Sequence, residues 1–401
     1  MPSRPRARAP TERGPVPPPV AQAHDRIGAL TGLRGLAAFA VFSFHAWLLA
    51  RAPDPAAGVD VLSPGLSWLL RMGWTGVDVF FTLSAFLLTL PHARAAWSGA
   101  PRPPLSPYLR RRFARIVPAY WVQLVLLLVA AGLGAAWGFA VPAWPGWPAV
   151  LAHALLWIDA WPRVAPLVPP WWTLPVEFGF YLLLPLLARA LAPRRWPWLL
   201  VLVALAWAWR AWWLLHPRAD HAHFAWIEHL PGRIDQFVIG MLAAWFWVRR
   251  EGMPFLSPRA ANALLLGSMA TFLALPALLL LDGRATVTQI TSMHPLVLTW
   301  HTSASVVVAA MLVACVAGAP AARWLATRPL LWLGEVSYGL YLWHVPVIAW
   351  VVWQAGYPSS AQFWPHFSAC LLLSLAFAWL SRIAVERPAL RWAARRDASP
   401  R

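Results

Sequence analysis

Residues 27–50 read IGALTGLRGLAAFAVFSFHAWLLA, an apolar run that carries Arg34 and His45. The run is long enough to cross a bilayer, since a span takes about 20 residues of helix. A charge near the centre of such a span costs roughly 2.5–3.5 kcal/mol on insertion scales, so it normally faces a bundle interior or a watery cavity. Arg34 and His45 are eleven residues apart. At about 100° per residue that is about 1100°, close to three full turns, so both project from one face, about 16 Å apart along the axis. Ala50-Arg51-Ala52 loosely resembles a signal-peptide cleavage site. The run is nevertheless too long for a signal-peptide core, and it contains Arg34 and His45.

The rest of the chain extends this reading. Of 401 residues, 60% are hydrophobic and only 12% charged, with 30 Trp, and mean hydropathy is +0.55. Apolar runs of span length recur, so the expected fold is an all-α, polytopic transmembrane helix bundle. A sliding window of about 19 residues puts about ten spans at 27–50, 64–91, 113–136, 172–192, 196–215, 230–248, 260–281, 301–320, 331–354 and 364–384. The formal charge of +18 does not imply nucleic acid, because tracking phosphate needs a solvated basic face. Here the arginines cluster in short segments between apolar runs. Cys315 and Cys370 both lie within apolar runs, so no disulfide framework is implied. The loop His216 to His229 holds several histidines without a compact, regularly spaced ligand set, and no metal site is expected.

The arginines also orient the bundle. If the N-terminus is inside, the inner segments receive Arg110, Arg111, Arg112 and Arg115, then Arg249 and Arg250, and finally Arg395 and Arg396. The outer segments receive Arg51, Arg163, Arg218 and Arg284. By the positive-inside rule both termini are expected in the cytoplasm. Under that topology the run from Trp147 to Trp161 cannot be a full span, and 137–171 reads as an outer-face excursion, re-entrant or interfacial. Residues 1–26, rich in Pro and Arg, read as a disordered cytoplasmic tail. Residues 391–401 read as a short basic one.

Polar groups inside the spans mark the candidate site. Asp78, Glu177, Arg233, Asp235 and His344 all fall within apolar runs, where each either pairs to lock helices together or serves chemistry. Arg112 and Arg115, three apart, share a helical face at the inner end of the third span. Two guanidiniums so placed can clamp a phosphate or pyrophosphate; the alternative is an ordinary topology signal in contact with anionic lipid.

Six stretches together resemble the acyltransferase-3 family of integral membrane O-acyltransferases. They are LTGLRGLAAFAVFSFH at 30–45, GVDVFFTLSAFLL at 76–88, YLRRRFARIVPAYW at 108–121, WWTLPVEFGFYLLLPLL at 171–187, the stretch Arg233 to Gly240, and LGEVSYGLYLWHVPV at 333–347, with Glu386-Arg-Pro388 after the last span. The resemblance implies that residues 27–390 form a membrane acyltransferase domain in a bacterial cell membrane. It implies transfer of an acyl group, acetyl above all, from cytosolic acyl-CoA to a hydroxyl of a carbohydrate, glycolipid or glycosylated metabolite such as a macrolide, with no permanently bound cofactor.

Carried over residue by residue, the family pattern makes His45, Arg34 and Glu177 catalytic and gives donor binding to Arg112, Arg115 and Arg34. Asp78, Arg233, Tyr341 and His344 are the expected acceptor or cavity-lining residues. The chain departs from the pattern at Phe178, where relatives often have a second carboxylate, and at Ala85, where Leu83-Ser84-Ala85-Phe86 stands for LSGF. On the residues alone, His45 suits either a general base or an acyl carrier. The competing class is a secondary transporter or flippase, which predicts internal repeats. Neither the LRG…H stretch nor SYGLYLWH has a counterpart in the other half of the chain.

Overall fold

The structure, a computed structural model, describes residues 20–50, 64–132, 144–158, 164–192, 194–216, 226–251, 253, 255–276 and 297–398. Among these residues every regular element is helical. In chain order they are α1 (Val20–Leu49), α2 (Pro64–Arg71), α3 (Gly76–Ser98), α4 (Leu105–Gly132), the short α5 (Trp147–Ala154), α6 (Thr173–Leu187) and α7 (Trp198–Leu215). Then follow α8 (Leu230–Arg250), α9 (Pro258–Ala274), α10 (Val297–Val316), α11 (Ala322–Leu325), α12 (Arg328–Ala355), α13 (Phe363–Ser381) and α14 (Arg387–Ala398).

Among the described residues, eight helical segments are long and apolar enough to cross a membrane. The chain is a multi-pass membrane protein. Two further expected spans are helices that miss those criteria for identifiable reasons. α8 carries Arg233, Asp235, Arg249 and Arg250, and α9 has only 17 described residues. The rest of the expected span 260–281, from 277 on, lies outside the described residues. The apolar run at 147 forms the eight-residue α5, too short to cross. Helix α1 begins at Val20, ahead of the expected boundary at 27, and residues 1–19 of the expected tail lie outside the described residues. At the other end, α14 takes up most of the expected basic tail.

Helix α1 packs most extensively against α12, and α3 against α8. The first pairing explains one glycine in each of LTGLRG and LGEVSYG, Gly35 and Gly334. A Cβ on Gly35 would stand 2.8 Å from the Gly334 backbone nitrogen and 2.9 Å from the Leu330 carbonyl. A Cβ on Gly334 would run into the Thr31 carbonyl. Only residues without side chains let two backbones approach so closely, and such crossings are a main source of helix association in lipid. The close crossing sets Arg34 of α1 beside Ser337 and Tyr338 of α12, where all three line one cavity.

Candidate active site

The third expected span starts earlier than its hydropathy suggests. α4 begins at Leu105, so Tyr108 to Arg115 are already helical. Its arginines divide between two faces. Arg110 and Arg111 turn to Asp397 of α14, each at 3.0 Å. Arg112 and Arg115, one turn apart, turn inward and line a cavity of about 460 Å³.

That cavity collects residues far apart in sequence. Arg34 comes from α1, Ser84 from α3, Arg112 and Arg115 from α4, Glu177 from α6 and Tyr341 from α12. Glu177 is held in place: Ser84 Oγ donates to its Oε1 at 2.9 Å and Tyr181 OH donates to the same oxygen at 2.5 Å. The Arg112 guanidinium lies 5.7 Å from the centre of the Tyr181 ring, and that of Arg115 5.7 Å from the Tyr338 ring. Arg112 Nε is buried without a hydrogen-bond partner. With three guanidiniums and one carboxylate in its wall, the cavity favours an anion. Its apolar lining, including Val77, Phe80 and Leu174, suits an uncharged arm or acyl chain.

His45 and His344 lie just past this cavity. Tyr341 lines it, with its hydroxyl fixed to Thr173 Oγ1 at 2.6 Å and donating to the Pro170 carbonyl at 2.7 Å. The Tyr341 ring is 5.9 Å from that of His344, one turn on. His344 Nε2 is 3.2 Å from His45 Nδ1, with ring centres 4.9 Å apart. His344 Nδ1 faces the Leu340 carbonyl at 3.0 Å, and His45 Nδ1 also faces the Val41 carbonyl at 2.9 Å. Carbonyls accept only, so both rings carry their proton on Nδ1. His344 Nε2 then accepts from His45, and His45 Nε2 is left with a lone pair.

The structure therefore unites Arg34, Arg112, Arg115, Glu177 and Tyr341 on one cavity and pairs His45 with His344 beside it. Glu177 accepts from Ser84 and Tyr181 and lines the cavity. Asp78 and Arg233 instead face each other inside the bundle. Arg233 Nη1 donates to Asp78 Oδ1 at 2.9 Å, to Gln236 Oε1 at 3.0 Å and to His301 Nδ1 at 2.5 Å, and the guanidinium also pairs with Glu228. Burial alone would raise the Glu228 carboxyl above its ordinary range, but Arg233 and His301 more than offset it and hold it below. Beside this cluster Arg210 Nη2 donates to Asp235 Oδ2 at 2.9 Å. Buried charge must be paired in lipid, and this network ties α3, α7, α8 and α10 together. Trp171 is fully buried with its Nε1 donating to Gln123, while Trp144 and Trp147 are exposed. No group of three or more potential metal ligands occurs among the described residues.

Sequence reasoning quoted Tyr181, Tyr338 and Glu386 within motifs but gave them no role, and it passed over Glu228 and His301. Tyr181 had a readable signal, standing four residues after Glu177 and so on the same helical face. The other partners are set by tertiary packing.

Comparison with known proteins adds an independent line. A family model described as an acyltransferase domain matches residues 27–383. The acyltransferase MdmB of Streptomyces mycarofaciens is 34% identical over 190 residues, 45% of this chain and 45% of its own. The peptidoglycan O-acetyltransferase OatA of Listeria monocytogenes is 25% identical over 344 residues, 80% of this chain and 49% of its own. The chain spans about half the length of the curated relatives it matches. No solved structure matches it.

Proposed function

The chain belongs to the acyltransferase-3 family of membrane acyltransferases, and from that premise we propose that it transfers an acyl group, acetyl first, from cytosolic acyl-CoA to a hydroxyl of a carbohydrate, glycolipid or glycosylated metabolite. The observation that carries this reading is the convergence of Arg34, Arg112 and Arg115 on one cavity whose far wall, Tyr341, touches the His45–His344 pair. Acyl-CoA combines phosphates with an uncharged pantetheine arm ending in a thioester. The guanidiniums suit the first and the apolar lining the second. The relative OatA, named for O-acetylation of peptidoglycan, supports an acetyl donor and a glycan acceptor.

The chemistry follows from the tautomers. His45 Nε2 takes the proton of the acceptor hydroxyl as that oxygen attacks the thioester carbonyl carbon. The C–O bond forms, the C–S bond breaks, and the departing CoA sulfur recovers the proton from His45. His344 holds the other side of the ring and so keeps Nε2 the basic nitrogen. The arginine distribution supports a bundle of ten spans with both termini in the cytoplasm of a bacterial cell, which puts the cavity wall that holds Leu390 of α14 toward the side where acyl-CoA is made.

The test is thiol release from acetyl-CoA by the protein in proteoliposomes supplied with glycan acceptors. Changing Arg112 and Arg115 together to Ala is expected to raise KM for acetyl-CoA about 10²-fold or more, since hydrogen bonds to charged groups are each worth about 1.5–3 kcal/mol. Unchanged KM in the double variant would remove the arginines from donor binding. Counterflow of a labelled solute with no thioester loss would make the protein a transporter.

A further inference from the structure

Helix α13 does not end at the membrane surface. It passes through a wide π turn, Arg382–Glu386, and continues as α14. The continuous helical stretch is 36 residues, about 54 Å at 1.5 Å per residue. That exceeds the roughly 30 Å hydrocarbon core, so α14 projects beyond it. π turns are rare and frequent at functional sites. This one ends on Glu386, whose side chain has no exposed surface.

The surroundings of Glu386 connect it to the donor cavity. Its Oε2 stands 3.3 Å from Arg115 Nη1, and its Oε1 accepts from Ser381 Oγ at 3.4 Å. One turn farther, Leu390 forms part of the cavity wall. At the end of α14, Asp397 is clasped by Arg110 and Arg111. The C-terminal helical stretch is thus strapped along α4 by three ion pairs to two carboxylates, Asp397 and Glu386, and the one nearest the cavity is made by a cavity arginine. Arg115 is fixed along one edge by Glu386 and across one face by the Tyr338 ring. Among the described residues no other hydrogen bond of its guanidinium occurs, and Arg115 lines the cavity.

A buried ion pair adds little net stability, and its best-attested uses are positional. Arg34, Arg112 and Arg115 repel one another across the cavity, and a fixed carboxylate behind Arg115 both tethers and neutralises it. We propose that Glu386 is a positioning residue for the acyl donor: it holds Arg115 in the orientation that receives the phosphates of CoA, with α14 supplying that wall of the site. This rests on the donor reading above.

The experiment measures binding of CoA and of pantetheine, which lacks all the phosphates, to the full chain in nanodiscs. Glu386→Gln keeps the shape of the side chain and removes its charge. Losing the tether on one charge-assisted contact is expected to raise Kd for CoA about 10-fold and leave Kd for pantetheine unchanged. In an Arg115→Gln background, Glu386→Gln is expected to add nothing, because the effect acts through Arg115. A CoA affinity that is unchanged or tighter in Glu386→Gln would overturn the proposal, a tighter one meaning that Glu386 competes with the donor. Equal weakening toward both ligands, or additivity with Arg115→Gln, would reduce Glu386 to a folding role and equally overturn it. Wild-type protein that binds pantetheine no worse than CoA would overturn the donor reading itself, a result separable from failure of the variant alone.

Discussion

Replacing His45 with Ala is expected to lower acetyl transfer by about 10²–10⁴-fold, the usual contribution of a positioned general base. Donor affinity should hardly change, because His45 is not among the residues lining the arginine cavity. The split between a collapsed kcat and a preserved donor Kd is the measurement, made with acetyl-CoA and a glycan acceptor in proteoliposomes. Turnover of the variant at the wild-type rate would sink the assignment of the base. Labelled acetyl recovered on the His45 ring in the absence of acceptor would make it a carrier instead. His344→Ala is expected to be milder, about 10-fold in kcat, because it removes the ring's partner at 3.2 Å but leaves the Val41 carbonyl to hold Nδ1. An effect of His344→Ala as large as that of His45→Ala would give both rings a direct part in the reaction.

Arg233→Ala is expected to cost about 3–5 kcal/mol of stability, the range for removing one partner of a buried ion pair. The guanidinium sits 3% exposed between Asp78 and Glu228, whose side chains are 0% and 1% exposed. Without it, two carboxylates remain in a dry interior with His301 as the basic group in contact with both among the described residues. The readout is the thermal aggregation midpoint in detergent, together with the amount of folded protein recovered from membranes. Donor binding by the surviving folded fraction should stay near wild type. A midpoint unchanged from wild type, or a selective loss of donor affinity, would contradict a purely architectural network.

Much of this architecture is visible in the amino-acid string because lipid enforces it. Span length, the expense of charge in hydrocarbon and the helical period fix where the helices lie and which polar residues must turn inward. Arg34, Arg112, Arg115 and Glu177 could be named from that cost and from the family pattern, and they share one cavity. Pairings were less legible. Asp78 and Arg233 were equally consistent with a wet site and with each other, and only packing shows that they meet at 2.9 Å. Glu228 stands in a loop-flanking stretch and His301 in a run that hydropathy reads as ordinary span, so nothing local links them. The contact of Glu386 with Arg115 was hidden for another reason. Its inward turn depends on a wide π turn that no residue pattern announces. Helix α4, the third expected span, also begins eight residues before its apolar run, because charged residues on one side of a helix end lower hydropathy without ending the helix.

The glycine crossing of α1 and α12 constrains how substrates can enter. The two helices touch backbone to backbone at Gly35 and Gly334, so no side chains intervene whose rotamer changes would let them slide. His45 and His344 ride on these same two helices and are carried as one rigid unit. Room for a bulky donor or acceptor is then expected to come from the elements facing that unit, α4, α6 and the strapped α14. The pair of imidazoles, with Arg34 on the same helix as His45, is in this sense the fixed jaw of a vice, and the side bearing Arg112 and Arg115 is the jaw expected to travel.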